Sequence, residues 1–227
     1  MTNSGGVLMN RKKIIKNLKK SGVIFVDETN AYIDETVVIG AGTVIEPNVK
    51  ITGKTVIGKN CVIGFCTDIT DCEIADNVSI KHSVLTESKI GSETTVGPFC
   101  YVRPKCVVGK KVKLGDFVEI KNAKIDDGTK LSHLTYVGDA DVGKNINFGC
   151  GTVVVNYDGK NKHRTVIEDG AFIGCNTNLV APVRVGENAF TAAGSTITED
   201  VPADNLAIAR ARQVNKAGWE RPKKIEK

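Results

Sequence analysis

The sequence is poor in several things at once. Aromatic residues make up 5% of its 227 positions, and there are only three histidines, two methionines and one tryptophan. It has no run of 18 or more apolar residues, so no membrane-spanning helix is expected. The opening MTNSGGVLMNRKKIIKNLKK has too short an apolar segment, in the wrong order, for a secretory signal, and a cytoplasmic protein is the reading that follows. The cysteines (Cys61, Cys66, Cys72, Cys100, Cys106, Cys150 and Cys175) are odd in number and include no C-x-x-C pair. That argues against a disulfide framework and a zinc site alike, and no metal is expected. With few aromatics, no recognition motif and a net charge of +5, nucleic acid is not expected as a partner. The basic residues gather in RKKIIKNLKK and RPKKIEK near the two ends, which read either as solvated tails or as an attraction for a phosphorylated small molecule.

What the chain has instead is a beat of six. Aliphatic residues stand at Ile39, Ile45, Ile51, Ile57, Ile63 and Ile69, and again at Ile90, Val96, Val102, Val108, Leu114 and Ile120. The beat continues through Ile125, Leu131 and Val137, through Val142, Phe148 and Val154, and through Ile167, Ile173, Leu179, Val185, Thr191 and Ile197. Period six is neither a helical repeat nor simple alternation, so each unit is a short strand and a turn with one obligatory inward position. Such units stack into a parallel β-helix, in which no repeat is stable alone and both ends need caps. Cys61, Cys100 and Cys106 fall where other rungs carry Thr43, Val49 or Thr55, and are read as small structural fillers. The expected organisation is an N-terminal segment over 1–30 with a short amphipathic helix at 11–20, a β-helix over 31–200, and a C-terminal arm over 201–227 holding Trp219. An all-β fold follows.

Chemistry is sought where the rungs are interrupted. The widest gap runs from Val154 to Ile167 and predicts a loop over 155–166, in which Asp158 and Gly159 supply a turn. Asn156, Tyr157, Lys162, His163 and Arg164 load that loop with donors and positive charge. His133, one coil earlier, reads alone as a packed side chain as readily as a reactive one. Its company favours the second reading: Arg103, Lys121, Tyr136, Asn147 and the loop cations would together make an anion site beside a base.

The strings VGPFCYVRP, LGDFVEIKNAKI, SHLTYVGDADVGKNINFGCGT, NYDGKNKHRTVI and FIGCNTNLVAPV resemble one bacterial family over approximately residues 12–222. It is the acetyltransferase half of the bifunctional glucosamine-1-phosphate acetyltransferase and N-acetylglucosamine-1-phosphate uridyltransferase, within the hexapeptide-repeat acyltransferases. The resemblance implies the left-handed form of the β-helix, a homotrimer, and N-acetylation of glucosamine 1-phosphate by acetyl-CoA through direct attack of the amine. It implies His133 as general base, with Arg103, Lys121, Tyr136, Asn147 and Lys162 on the sugar phosphate. Cys150, Asn156, Tyr157, Cys175, Ala193 and Arg210 fall at acetyl-CoA contacts, although the family commonly carries Ala and Ser where Cys150 and Cys175 stand. Glu119 is expected to orient the imidazole, and the N–H groups of Gly149 and Gly151, or of the loop, to hold the oxyanion. No glycine-rich nucleotide loop precedes the repeats, so no uridyltransferase activity is expected in this chain, and a separate uridyltransferase is an expected partner. Two alternatives stay open: another amino-sugar phosphate as acceptor, and a non-catalytic solenoid that binds a nucleotidyltransferase.

Overall fold

The chain meets the demand for one inward position per six residues by winding into a parallel β-helix. The computed structural model describes residues 4–220. Three ladders of short parallel strands make three faces. The first face runs from Ile24–Phe25 to Leu206–Ala207, and the second from Ala31–Ile33 to Thr196–Ile197. The third holds nine strands, from Val38–Ile39 to Val183–Val185. The first two faces join into one sheet because the nine-residue strands Lys113–Lys121 and Lys130–Gly138 run across the corner between them.

Register explains the beat. Ile45 lies beside Ile63, Ile63 beside Ile80, Ile80 beside Val96, Val96 beside Leu114, and Leu114 beside Leu131, so one aliphatic column runs up the inside of the first face. Ile45, Ile63, Ile80, Leu114 and Leu131 are each fully buried. Two residues before each such position stands a small side chain that also points inward, and the expected fillers Cys61, Cys100 and Cys106 are among them, at 3% exposure or less. Several of the inward hydroxyls serve the turns, as Thr94 does by donating to Gly109 O at 2.8 Å and accepting from Val112 N at 3.1 Å, whereas those of Thr67 and Thr165 have no partner among the described residues. An inward polar atom of this kind would be costly without such partners.

The corners need backbone with positive φ. Asn48, Asn60, Asn77, Asn122, Asn145, Asn176 and Asn188 supply it more often than any other non-glycine type, since Asn tolerates the left-handed region well. Gly91 is required for another reason, because a Cβ there would stand 2.4 Å from the carbonyl of Gly109 on the next coil.

The open lower end of the core is capped by a helix, Ser4–Lys20, which begins earlier than the expected 11–20. Ile15 is buried, and Ile14 and Leu18 pack against the core. The helix stops at Gly22, whose φ of 92° lets Gly22 N and Val23 N bond back to Lys19 O and Leu18 O. The far end is closed by the return of the arm: Ala209 N donates to Ser195 Oγ at 3.1 Å. Trp219 is 70% exposed. The basic run 221–227 lies outside the described residues. Among the described residues, no helix is long and apolar enough to cross a membrane.

Emptying the column tests this arrangement. Ile120→Ala, at a fully buried position, is expected to destabilise the fold by about 3 kcal/mol. Val107→Ala, on an outward position, is expected to change it by less than about 0.5 kcal/mol. Both are read from the midpoint of urea unfolding.

Candidate active site

Outward side chains in a β-helix line up in columns just as inward ones do. At the corner between the first and second faces, the residue two beyond the inward aliphatic is in turn Asp116, His133, Cys150, Cys175 and Ala193. Asp116 pairs directly with His133, and the pairings of Leu131 with Phe148, Phe148 with Ile173 and Ile173 with Thr191 carry the register upward. Adjacent coils stand about 4.8 Å apart, so His133 and Ala193 are separated by about 14 Å along the corner. Arg210 joins this column from the arm, its Cδ 3.7 Å from where a Cβ on Gly194 would stand.

His133 Nδ1 lies 2.7 Å from Asp116 Oδ1. A carboxylate only accepts, so Nδ1 carries the proton, and in the neutral ring Nε2 keeps a free lone pair. The bond to His133 holds the Asp116 carboxyl below its usual range. This corrects the expectation for Glu119. Its Oε1 accepts from Arg103 Nη1 at 2.9 Å, and it faces Tyr136 rather than His133 across the ladder. The expected oxyanion donors Gly149 and Gly151 are also taken, since their N–H groups bond to Ile173 O at 2.7 Å and to Leu134 O at 3.0 Å.

The second face leads from this corner, past Tyr136, to a polar cluster at the next corner. There Asp139, 7% exposed, accepts from Asn122 Nδ2 at 2.6 Å and from Asn156 Nδ2, and Lys121 Nζ lies 3.7 Å away. Burial pushes the Asp139 carboxyl up, but the two amides and the ammonium groups of Lys121 and Lys162 outweigh it and hold the carboxyl below its ordinary value. The proximity of Lys162, followed by burial, lowers the pKa of Lys121. Two lysines close enough to oppose each other's charge make a place where an anion relieves the repulsion. Gly138 keeps the cluster tight, because a Cβ there would meet the Tyr136 hydroxyl at 2.4 Å and Asn156 Nδ2 at 2.8 Å.

The loop expected over 155–166 leaves at this corner and is a small hairpin tied to itself and to the wall. Tyr157 and Lys162 form an antiparallel bridge. Asp158 Oδ1 accepts from Lys160 N and Asn161 N, and its Oδ2 lies 2.7 Å from His163 Nε2; these contacts, the backbone of Asn161 first, hold its carboxyl far below the usual range. The Tyr157 hydroxyl donates to Gly159 O at 2.6 Å. Arg164 forks onto both oxygens of Asp141, at 2.5 and 2.6 Å, and donates to Ala140 O.

The predicted residues therefore fall into three groups. His133, Cys150, Cys175, Ala193 and Arg210 share one corner. Lys121, Tyr136, Asn156 and Lys162 converge near the other, with Tyr157 bridged to Lys162 in the hairpin and Arg103 beside Lys121 in the ladder next to Glu119. Asn147 stands apart on the first face, in register with Lys130 and Phe172. Sequence reading missed Asp116 and Asp139, for which spacing held the signal: Asp116 lies one coil below His133, and Asp139 follows the strand-ending glycine of YVGDAD.

It also missed a ridge. Along the His133 corner, Phe65, His82, Phe99 and Phe117 contact ring to ring, with centroids 5.2, 5.5 and 5.3 Å apart, and Leu134 continues the line. Phe99, Phe117 and Leu134 are each more than half exposed, and all three have positive φ.

Residues 17–120 match the family model described as the EIF2B subunit epsilon LbH domain, and residues 164–199 match that of the bacterial transferase hexapeptide (six repeats). Over 209 residues the chain is 57% identical to the bifunctional protein GlmU of Acetivibrio thermocellus, covering 92% of this chain and 45% of that protein. Over 217 residues it is 54% identical to the protein of the same name from Clostridium kluyveri, covering 96% and 48%. The chain thus spans about half the length of the curated relatives it matches. The UDP-N-acetylglucosamine acyltransferase structure of Francisella novicida superposes with a TM-score of 0.57 at 22% identity, over 79% of this chain and 65% of that one, and shares the parallel β-helix fold.

The buried carboxylate offers a pH test. Because the Asp139 pKa is lowered by folding, the stability it contributes is present above pH 3.8, its ordinary value, and is lost as pH falls through the lower folded value. Asp139→Asn is expected to flatten the acid side of a plot of urea midpoint against pH, while Asp139→Ala, which strands Lys121, lowers stability by roughly 3 kcal/mol.

Proposed function

We propose that this chain transfers acetyl from acetyl-CoA to the amine of glucosamine 1-phosphate, a reading supported by its 54–57% identity to proteins named bifunctional protein GlmU over 92–96% of its length. The observation that carries the reading is the oriented His133 at the end of the corner column, with the lysine cluster one face away. His133 acts as general base through Nε2, and Asp116 fixes the ring by accepting from Nδ1. The amine nitrogen bonds to the thioester carbonyl carbon and gives its proton to His133. The C–S bond then breaks, and the departing thiolate takes the proton back. No covalent enzyme intermediate forms.

Lys121, Lys162 and Arg103 hold the phosphate, whose two charges compete with the half-exposed Glu119 for Arg103. Tyr136 lies between that end and the base. The acetyl carrier lies extended along the corner column, past Cys150, Cys175 and Ala193 to Arg210. A site on a convex corner needs a second wall, and the apolar ridge of Phe99, Phe117 and Leu134 beside it supports assembly into a homotrimer in which a neighbour supplies that wall. The arm with its exposed Trp219 packs on that neighbour.

The deciding assay follows thiol release from acetyl-CoA with glucosamine 1-phosphate and a panel of other amino-sugar phosphates. Release with glucosamine 1-phosphate supports the reading, release only with another acceptor moves the substrate, and none with any acceptor overturns it. His133→Ala is expected to lower kcat roughly a hundredfold or more with unfolding unchanged. Asp116→Ala is expected to lower kcat more than it changes KM. Phe117→Asp is expected to shift the sedimentation coefficient from trimer to monomer; an unshifted trimer would place the interface elsewhere.

A further inference from the structure

We propose that Cys150 and Cys175 form a dithiol site, a pair of accessible thiols on adjacent coils that binds two-point thiophiles and closes to a disulfide. The pair is set by register. Phe148 and Ile173 are ladder partners, Gly149 N donates to Ile173 O at 2.7 Å, and Asn176 N donates to Cys150 O at 2.8 Å, so Cys150 and Cys175 occupy the same corner position on successive coils. The coils are in close contact there, since a Cβ on Gly149 would stand 2.7 Å from Cys175 Cα. In-register neighbours in a parallel ladder have Cα atoms about 4.8 Å apart. Disulfides span Cα separations of about 4.4 to 6.8 Å, and the coil spacing lies within that range.

The other thiols differ in accessibility. Cys61, Cys72, Cys100 and Cys106 are buried inside the prism, where desolvation pushes the thiols of Cys72 and Cys100 up to about 11. Cys175 and Cys66 are exposed and Cys150 is half-buried. Cys66 lies on the same corner several coils away, beside Phe65, with no cysteine on the coil above or below it. Cys150 and Cys175 are the accessible thiols that the winding brings together.

The chemistry balances with reagents of two classes. A low-molecular-weight disulfide takes the two thiol protons and two electrons and leaves as two thiols, while one S–S bond forms between Cys150 and Cys175. A trivalent arsenical oxide forms two As–S bonds and releases one water. Either product lies directly above His133 in the corner column. The consequence for activity rests on the proposed path of acetyl-CoA; the cross-link itself does not.

The test treats the full chain with oxidised glutathione, and separately with phenylarsine oxide, and reads peptide maps and acetyl transfer together. A Cys150–Cys175 disulfide in the map, one arsenical bound per chain, and activity lowered at least tenfold and restored by dithiothreitol are expected. Cys150→Ser and Cys175→Ser should each abolish the cross-link and make whatever activity remains insensitive to the reagents, whereas Cys66→Ser should alter neither response. Glutathione mixed disulfides at Cys150 and Cys175 without the internal bond would overturn the proposal. A cross-link that forms without affecting measured activity would keep the dithiol and remove acetyl-CoA from the corner. A cross-link in a chain with no activity toward any acceptor would instead count against the proposed function alone.

Discussion

The structure depends on one constraint, the in-register stacking of successive coils. A coil of 16 to 18 residues brings Ile45, Ile63, Ile80, Val96, Leu114 and Leu131 over one another. The same winding that fills the core also fixes what stands outside it. An outward residue has no freedom to choose its neighbours, because its place in the six-residue unit chooses them. A column of chemistry therefore arises as cheaply as a column of aliphatics, and Asp116, His133, Cys150 and Cys175 form such a column. Rigid stacking also explains how a short hydrogen bond can be held on an exposed corner, where a flexible loop would let the imidazole turn.

How much could be read in advance follows from this geometry. The inward period was legible because burial repeats at every coil and leaves Ile, Val or Leu there each time. The parallel β-helix, the small fillers and the exit of the loop all followed from it. The outward columns were harder, because five-residue steps shift the offset between coils from eighteen to seventeen or sixteen. Glu119, fourteen residues before His133, was chosen as the orienting carboxylate by proximity of type, whereas the ladder offset of seventeen selects Asp116. The sequence likewise does not reveal that ladder bonds occupy the N–H groups of Gly149 and Gly151. The aromatic ridge was invisible because its members sit at a turn position where Asn or Gly is the usual occupant.

The inserted loop shows the second way in which the scaffold governs the site. A loop that breaks a stack exposes the polar edges of the coils on either side, and this one closes them with carboxylates from the coil below. Asp139 takes Asn156 and the lysines, while Asp141 takes Arg164 in a two-pronged contact. A buried carboxylate is a weak source of stability by itself, since desolvation opposes the Coulomb attraction. Its effect here is positional: it brings Lys121 and Lys162 near each other and keeps Asn156 at the wall. The two cations then remain short of negative charge, which is the condition in which a phosphate binds.

The three corners do not treat backbone strain alike. Two of them carry Asn, Asp, Glu, Lys or Gly at the positive-φ position on almost every coil, residues that are flexible at their tips or tolerant of the left-handed region. The corner beside His133 instead carries His82, Phe99, Phe117 and Leu134 on four consecutive coils, with φ between 41° and 60°. Bulky residues in that region are unfavourable by about 1 kcal/mol or more each, and the exposure of Phe99, Phe117 and Leu134 gives them little burial within this chain to offset it. Nothing in the winding demands them, since Gly151 and Asn176 make the same turn on the next two coils. Local strain and exposed apolar surface in one column, next to an oriented histidine, point to a benefit gained outside the single chain. A second surface laid along the ridge would bury the rings, offset the strain and turn the convex corner into a groove.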